Sequence, residues 1–219
     1  MSGMRDAILV HGLWMPGLAM TALAARLART GLRCHVFSYA GRARPLEAHA
    51  ERLERFARER APDGAHFVAH SLGGLVVLHA LHADRGLCVG RVVLLGTPAQ
   101  GCLAGQHLAR FRIGRWLLGA SEPLWRDQAL SSERGARWQR PEALGIIAGT
   151  LPLGLGWVIA RRQGPGDGVV RVEETSVPGM TERIVLPVNH SGMLVSARVA
   201  AQVVAFLRTG RFAPDEQRH

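Results

Sequence analysis

The stretch Val68-Ala69-His70-Ser71-Leu72-Gly73-Gly74 stands where a short apolar run, residues 66–68, gives way to a helical pattern at 72–83. A serine at that junction carries its hydroxyl at the tip of a strand-to-helix turn, the arrangement of a nucleophile elbow. So sharp a turn needs small side chains two positions before and two after the serine, and Ala69 and Gly73 meet that need. Gly74 lets the helix lie close to the sheet. Ala69 differs by one methyl from the first glycine of G-x-S-x-G. The plain alternative for a serine ahead of two glycines is a helix N-cap.

Outward from this turn, short β-like runs alternate with longer amphipathic patterns, which predicts parallel strands joined by crossover helices. Residues 7–10 form an apolar run that ends at His11-Gly12. Residues 18–27 place Leu18, Ala22, Leu23 and Leu27 at helical spacing, and Gly31 stops the pattern. Residues 34–39 read as a second strand. Residues 45–60 read as a helix opened by Pro45, with Leu46, Leu53 and Phe56 inward and the pairs Glu51/Arg55 and Glu54/Arg58 on the outer face. Past the helix at 72–83, a strand at 92–95 ends in Gly96-Thr97-Pro98.

Regularity lapses over residues 100–141, where Phe111, Ile113, Trp116, Trp125 and Trp138 stand among arginines without strand alternation. About forty residues of short amphipathic helices between two strands predict a cap or lid over a pocket rather than a linker. The plain alternative is that the tryptophans fill core. The alternation then resumes with a strand at 144–148, a loop Gly164-Pro165-Gly166-Asp167-Gly168, an apolar run at 184–188 and a final helix at 195–207. Val195, Val199, Val203 and Leu207 mark the inner face of that helix. One domain over residues 1–219, with an insertion at 100–141, accounts for the whole pattern.

A chain of 219 residues suits one compact domain, burying about two-thirds or more of its unfolded surface. With 47% hydrophobic and 20% charged residues, it is neither a disordered chain nor a coiled coil. The formal charge is +10 and all 27 basic residues are arginine. They are spread from Arg5 to Arg218 without a stripe or a recognition motif, so no nucleic-acid partner is expected. Weak contact with anionic membrane surfaces stays open. Cys34, Cys88 and Cys102 are odd in number and widely spaced, which fits a reducing compartment rather than a disulfide framework. The first residues pass straight into the run at 7–10, with no room for a secretion signal, so the expected location is cytoplasmic. The apolar stretch 143–160 is broken by Gly145, Gly149, Pro152, Gly154 and Gly156, and reads as a strand and loop rather than a membrane span.

The loop His11-Gly12-Leu13 follows the first strand. If Ser71 attacks a carbonyl, the negative oxygen that forms must meet preorganised donors, usually two backbone N–H groups. The amides of Leu13 and Leu72 are the candidates. Taken alone, His11 is an ordinary strand-end histidine. A base must take the serine proton, and an acid must hold that base. Among ten histidines, His190 stands in the turn Asn189-His190-Ser191-Gly192 between a late strand and the last helix. His35, His49, His66, His107 and His219 read as structural or solvated. His79 and His82 are three apart on a helix with no third ligand in sight, so no metal is expected. Of six aspartates, Asp167 opens a loop after the strand at 144–148. Asp6, Asp63, Asp84, Asp127 and Asp215 read as termini, surface turns or insertion. Glu173 and Glu174 are the other candidate acids, and the plain alternative for Asp167 is a tight turn.

Together, His11-Gly12-Leu13, His70-Ser71-Leu72-Gly73, Asp167 and His190 resemble the α/β-hydrolases, in particular small bacterial lipases and esterases. The resemblance implies a minimal α/β-hydrolase fold, a mostly parallel sheet of about six strands with helices on both faces and a helical cap. It implies Ser71 as nucleophile, Asp167 as acid and His190 as base, with Leu13 and Leu72 forming the oxyanion hole. The implied activity is cleavage of carboxylic esters through an acyl-enzyme, on a small-molecule ester or acyl-lipid substrate and without a cofactor. Thioesterase, amidase or acyltransferase chemistry would use the same groups, and a non-catalytic protein could keep the scaffold.

Overall fold

The computed structural model describes residues 4–83, 85–126, 138–153 and 164–214. Six parallel strands form one sheet: β1 (Asp6–Val10), β2 (Arg33–Phe37), β3 (Ala65–His70), β4 (Val89–Leu95), β5 (Leu144–Gly149) and β6 (Glu182–Leu186), in the order β2-β1-β3-β4-β5-β6. β1, β3 and β5 are buried along their whole length, as strands covered on both faces must be.

The period-two alternation of these strands divides the core into two layers. Ile8, Val10, Phe67, Ala69, Val92, Leu94 and Ile146 face α2 (Leu46–Arg60) and α3 (Leu72–His82). Ala7, Leu9, Val68, Val93, Leu95 and Ile147 face α1 (Thr21–Ala28) and the last helix. Among the described residues, three short helices, α4 (Leu103–Ala109), α5 (Arg112–Leu118) and α6 (Glu122–Arg126), lie between β4 and β5, and α7 (Ala197–Thr209) is the last helix. Residues 127–137 of the central insertion lie outside the described residues, as do 154–160 of the apolar stretch and 161–163 after it. Among the described residues no helix is long and apolar enough to cross a membrane.

The chain leaves β1 toward one edge, through β2, and returns through β3 on the other side of β1. That reversal opens a crevice at the carboxyl ends of β1 and β3, where open α/β sheets place their ligands. His11-Gly12-Leu13 follows β1, and Ser71 follows β3.

The elements depart from the sequence reading in a few places. The helix expected from Leu18 starts as a 3₁₀ turn, Gly17–Met20, and Leu18 is exposed. β2 stops at Phe37, so Tyr39 lies beyond it and turns inward. Glu54 is buried rather than on the outer face of α2, where it accepts from Arg85 at 3.3 Å, with Arg58 3.9 Å away. Val195 precedes α7 and is exposed, while Val199, Val203 and Leu207 are buried. Asp6 is no surface terminus: it is the buried first residue of β1. Burial opposes its charge, but hydrogen bonds from Arg33 and His35 win and hold the carboxyl below its usual range.

Candidate active site

Ser71 sits between β3 and α3 with φ 53° and ψ −125°. Among the described residues only Trp14 shares a positive φ without being glycine. Such backbone costs about 1–3 kcal/mol and persists only where its surroundings hold it. The Ser71 amide donates to Leu95 O at 2.9 Å and the Gly74 amide to Ser71 O at 3.0 Å. A Cβ on Gly73 would lie 2.4 Å from His11 O and 2.6 Å from Val10 O, and one on Gly74 would lie 2.0 Å from Thr97 Oγ1. The first turn of α3 is thus wedged between the ends of β1 and β4, which only two successive glycines permit.

The loop after β1 touches this turn directly, since a Cβ on Gly12 would fall 2.9 Å from Ser71 Cβ and 3.0 Å from His70 Nδ1. His11 is fully buried. Its Nδ1–H donates to Gly12 O at 2.9 Å, while its Nε2 accepts from the Tyr39 amide at 3.2 Å. Only a neutral ring protonated at Nδ1 satisfies both bonds, and burial pushes the His11 pKa down, in agreement. The Tyr39 hydroxyl donates to His11 O at 3.0 Å and the two rings stack at 4.6 Å. In a trans peptide the C=O and N–H point in opposite directions. By holding Gly12 O, His11 therefore also aims the Leu13 N–H. The Leu13 and Leu72 amides have no partner among the described residues. Leu72 opens α3, whose first amides have no acceptor inside the helix.

Asp167 and His190 come together from separate loops. His190 Nδ1 lies 2.7 Å from Asp167 Oδ2, and both residues are buried. The other carboxylate oxygen accepts the amides of Val169 at 2.9 Å and Val170 at 2.8 Å. The His190 amide donates to Asp167 O at 3.0 Å. The tight turn around Asp167 and its acid role are thus compatible readings of one loop. A Cβ on Gly96, beyond β4, would press within 2.8 Å of Asp167 Oδ2 and 3.2 Å of His190 Nδ1.

His190 reaches the turn through His70. The His70 Nε2–H donates to His190 O at 2.9 Å and the ring centroids are 4.5 Å apart. Among the described residues the buried His70 Nδ1 has no hydrogen-bond partner. No hydrogen bond joins His190 to Ser71, a contact that often tightens only when substrate binds.

Of the other candidates, Glu173 is exposed and ion-paired with Arg171. Glu174 is buried with other partners: it accepts the amides of Leu103 and Arg171, each at 2.8 Å, and so ties the insertion to the Asp167 loop. Cys102 accepts the Gly105 amide, and burial pushes its thiol up to about 12. Among the described residues no three His, Cys, Asp or Glu side chains are grouped as metal ligands. The sequence reading missed Tyr39 and Thr97, although Tyr39 is the sole tyrosine and Thr97 stands two residues past the end of β4. A cavity of about 790 Å³, lined in part by Arg5, Arg33, His66 and Arg91, opens at the opposite end of the sheet and takes no part in this site.

A parallel sheet whose strained serine caps the strand–helix turn at the topological switch, beside a buried His–Asp pair, defines a protein of the α/β-hydrolase class. The chain belongs to the alpha/beta hydrolase family, whose sequence profile matches residues 7–210. It is 42% identical over 82 residues to a pimeloyl-[acyl-carrier protein] methyl ester esterase of Vibrio cholerae, an alignment spanning 36% of this chain and 32% of that protein. The Vibrio vulnificus protein of the same name is 40% identical over 81 residues, 35% of this chain and 31% of its own. The chain thus spans about a third of the length of these curated relatives. Among solved structures, a mature Bacillus licheniformis lipase superposes with a TM-score of 0.80 at 19% identity, over 95% of this chain and 92% of that one. A metagenomic carboxyl esterase gives 0.71 at 20% identity, over 87% and 65%.

Proposed function

We propose that this protein hydrolyses carboxylic esters by way of an acyl-enzyme on Ser71. The observation that carries the reading is the buried Asp167–His190 pair, 2.7 Å apart and packed on the residue next to a strained serine. Ser71 Oγ bonds to the ester carbonyl carbon while His190 Nε2 takes its proton. The carbonyl π electrons move onto oxygen, where the Leu13 and Leu72 amides receive the negative charge. When the tetrahedral intermediate collapses, the C–O bond to the alcohol breaks and His190 returns the proton to the leaving oxygen. Water repeats the sequence on the acyl-enzyme, releasing the acid and regenerating Ser71. Asp167 holds His190 with its Nδ1 protonated, so that Nε2 is the basic nitrogen. His11 and Gly12 aim the Leu13 amide, and His70 and Gly73 fix the turn.

The substrate is a small-molecule ester or acyl lipid with an apolar part. The names of the Vibrio proteins point to short acyl methyl esters as first compounds to assay. The insertion at 100–141 acts as the cap that selects apolar groups: Trp14, beside Leu13, donates to Leu117 O of α5 at 2.8 Å. The reaction is placed in the cytoplasm and uses no cofactor. The test is labelling by a fluorophosphonate probe, which bonds to an activated serine, with Ser71→Ala as control. Labelling that persists in the mutant overturns the assignment. A chain-length preference unchanged on trimming the insertion removes the cap role.

A further inference from the structure

We propose that the outer face of the insertion docks on anionic lipid bilayers. α5 rests on its neighbours through Gly114 and Leu118. A Cβ on Gly114 would come within 1.8 Å of Leu108 O, so α5 lies directly against α4. Most of the rest of the helix faces outward. Phe111 is 67% exposed, Ile113 74% and Trp116 69%, with Trp14 nearby at 58%. Ile113 and Trp116 are three residues apart and share one side of the helix. Exposed apolar surface on this scale marks a place where something else binds.

The charge around these residues says what that partner is. Arg110, Arg112 and Arg115 are all exposed, and the Arg42 guanidinium lies 4.9 Å from the centre of the Trp116 ring. Residues 85–121 contain no aspartate or glutamate, and neither do residues 7–46. The two acid-free stretches meet at this face, where the Trp14 indole donates to Leu117 O and the Ala120 amide donates to Arg42 O, each at 2.8 Å. The result is a ridge of large apolar side chains interleaved with guanidinium groups. A bilayer interface matches both halves: aromatic and aliphatic groups enter the boundary between headgroups and acyl chains, and arginines stay with lipid phosphates. The ridge stands at the carboxyl ends of β1 and β2, so docking turns the mouth of the crevice toward the bilayer. The inference stands whether or not the ester chemistry proposed above is right, because binding does not require Ser71.

Flotation of the full chain with vesicles of phosphatidylcholine alone, and of phosphatidylcholine mixed with phosphatidylglycerol, tests it. The expected result is binding to the mixed vesicles that weakens as salt rises, with little binding to phosphatidylcholine. Arg112→Gln with Arg115→Gln weakens binding about fivefold per arginine, and Ile113→Ser with Trp116→Ser abolishes it. Circular dichroism confirms that each variant is folded, and the arginine pair, both members being exposed, provides a second arm if the apolar variant fails to fold. The proposal is overturned if the native chain does not float with the mixed vesicles, if it binds both vesicle types equally, or if the substitutions leave binding unchanged. Dimerisation abolished by the apolar substitutions would assign the ridge to a second copy instead. Binding to soluble polyglutamate as tight as to the mixed vesicles would reduce it to a charge effect.

Discussion

The His70 ring donates its Nε2–H to the main-chain carbonyl of His190 at 2.9 Å, tying the residue before Ser71 to the residue that faces Asp167. Burial, then the nearby His190, hold the His70 pKa well below the ordinary imidazole value, so the ring stays a neutral donor. Replacing it by phenylalanine keeps the ring but leaves His190 O without a donor, at a cost of about 1–3 kcal/mol in stability. In the proposed mechanism His70→Phe lowers kcat about tenfold or more by misplacing the base, with KM little changed. His70→Gln, which can still donate, recovers part of the loss. Steady-state kinetics on a soluble ester separate these outcomes, and equal activity in both variants refutes a positioning role.

Ser71 pays for its place in backbone strain. Ser71→Gly releases the positive φ and should stabilise the fold by up to about 1–3 kcal/mol, while ester turnover falls on the order of 10⁴- to 10⁶-fold. A thermal melt and a kinetic assay on the same preparation check the opposed signs. A variant that is both less stable and inactive contradicts the strain argument.

Gly73→Ala places a methyl 2.4 Å from His11 O. Because the obstructing atoms are backbone, α3 must shift, costing about 1–3 kcal/mol as overpacking does. The shift carries the Leu72 amide with it. Chemical denaturation should show a lower midpoint with an unchanged slope, together with a fall in kcat. A variant of native stability and activity would mean that the wedge is looser than these distances imply.

His11 and His70 have lowered pKa values in the fold, so between those values and the ordinary 6.5 the unfolded chain binds more protons than the native one. Stability therefore rises with pH across that window and is lost as pH falls below about 6.5. Asp6, whose folded pKa is also depressed, adds a second loss as pH falls through the carboxylate range. Denaturation midpoints measured from neutral pH downward test this; a flat profile between pH 7 and 5 runs against it. His11→Asn, which holds no buried imidazole at that position, should flatten the upper part of the slope.

Much of the architecture was legible in the residues. Strands buried on both faces must be apolar throughout, so the runs before His11 and around Val68, Val93 and Ile146 announced themselves. Gly73-Gly74 after Ser71 had a steric meaning that the coordinates measure in tenths of an ångström. Elements at the margins were harder to read. Glu54 looked like a surface partner of Arg58 because helical spacing cannot reveal that Arg85, 31 residues away, closes over it. Asp6 looked like a terminus because its partners belong to the next strand.

Local sequence by itself pointed to the alternation of strands and helices, the sharp serine turn and the loop that follows the first strand, because each depends on the steric demands of neighbouring residues. What only the tertiary structure decided is which distant groups meet: that Asp167 reaches His190, that His70 clasps its carbonyl, that Tyr39 fixes His11, and that α5 leans on Trp14 and Arg42. Those contacts join segments up to 120 residues apart, and strand order together with loop closure, not any local preference, brings them within hydrogen-bonding reach.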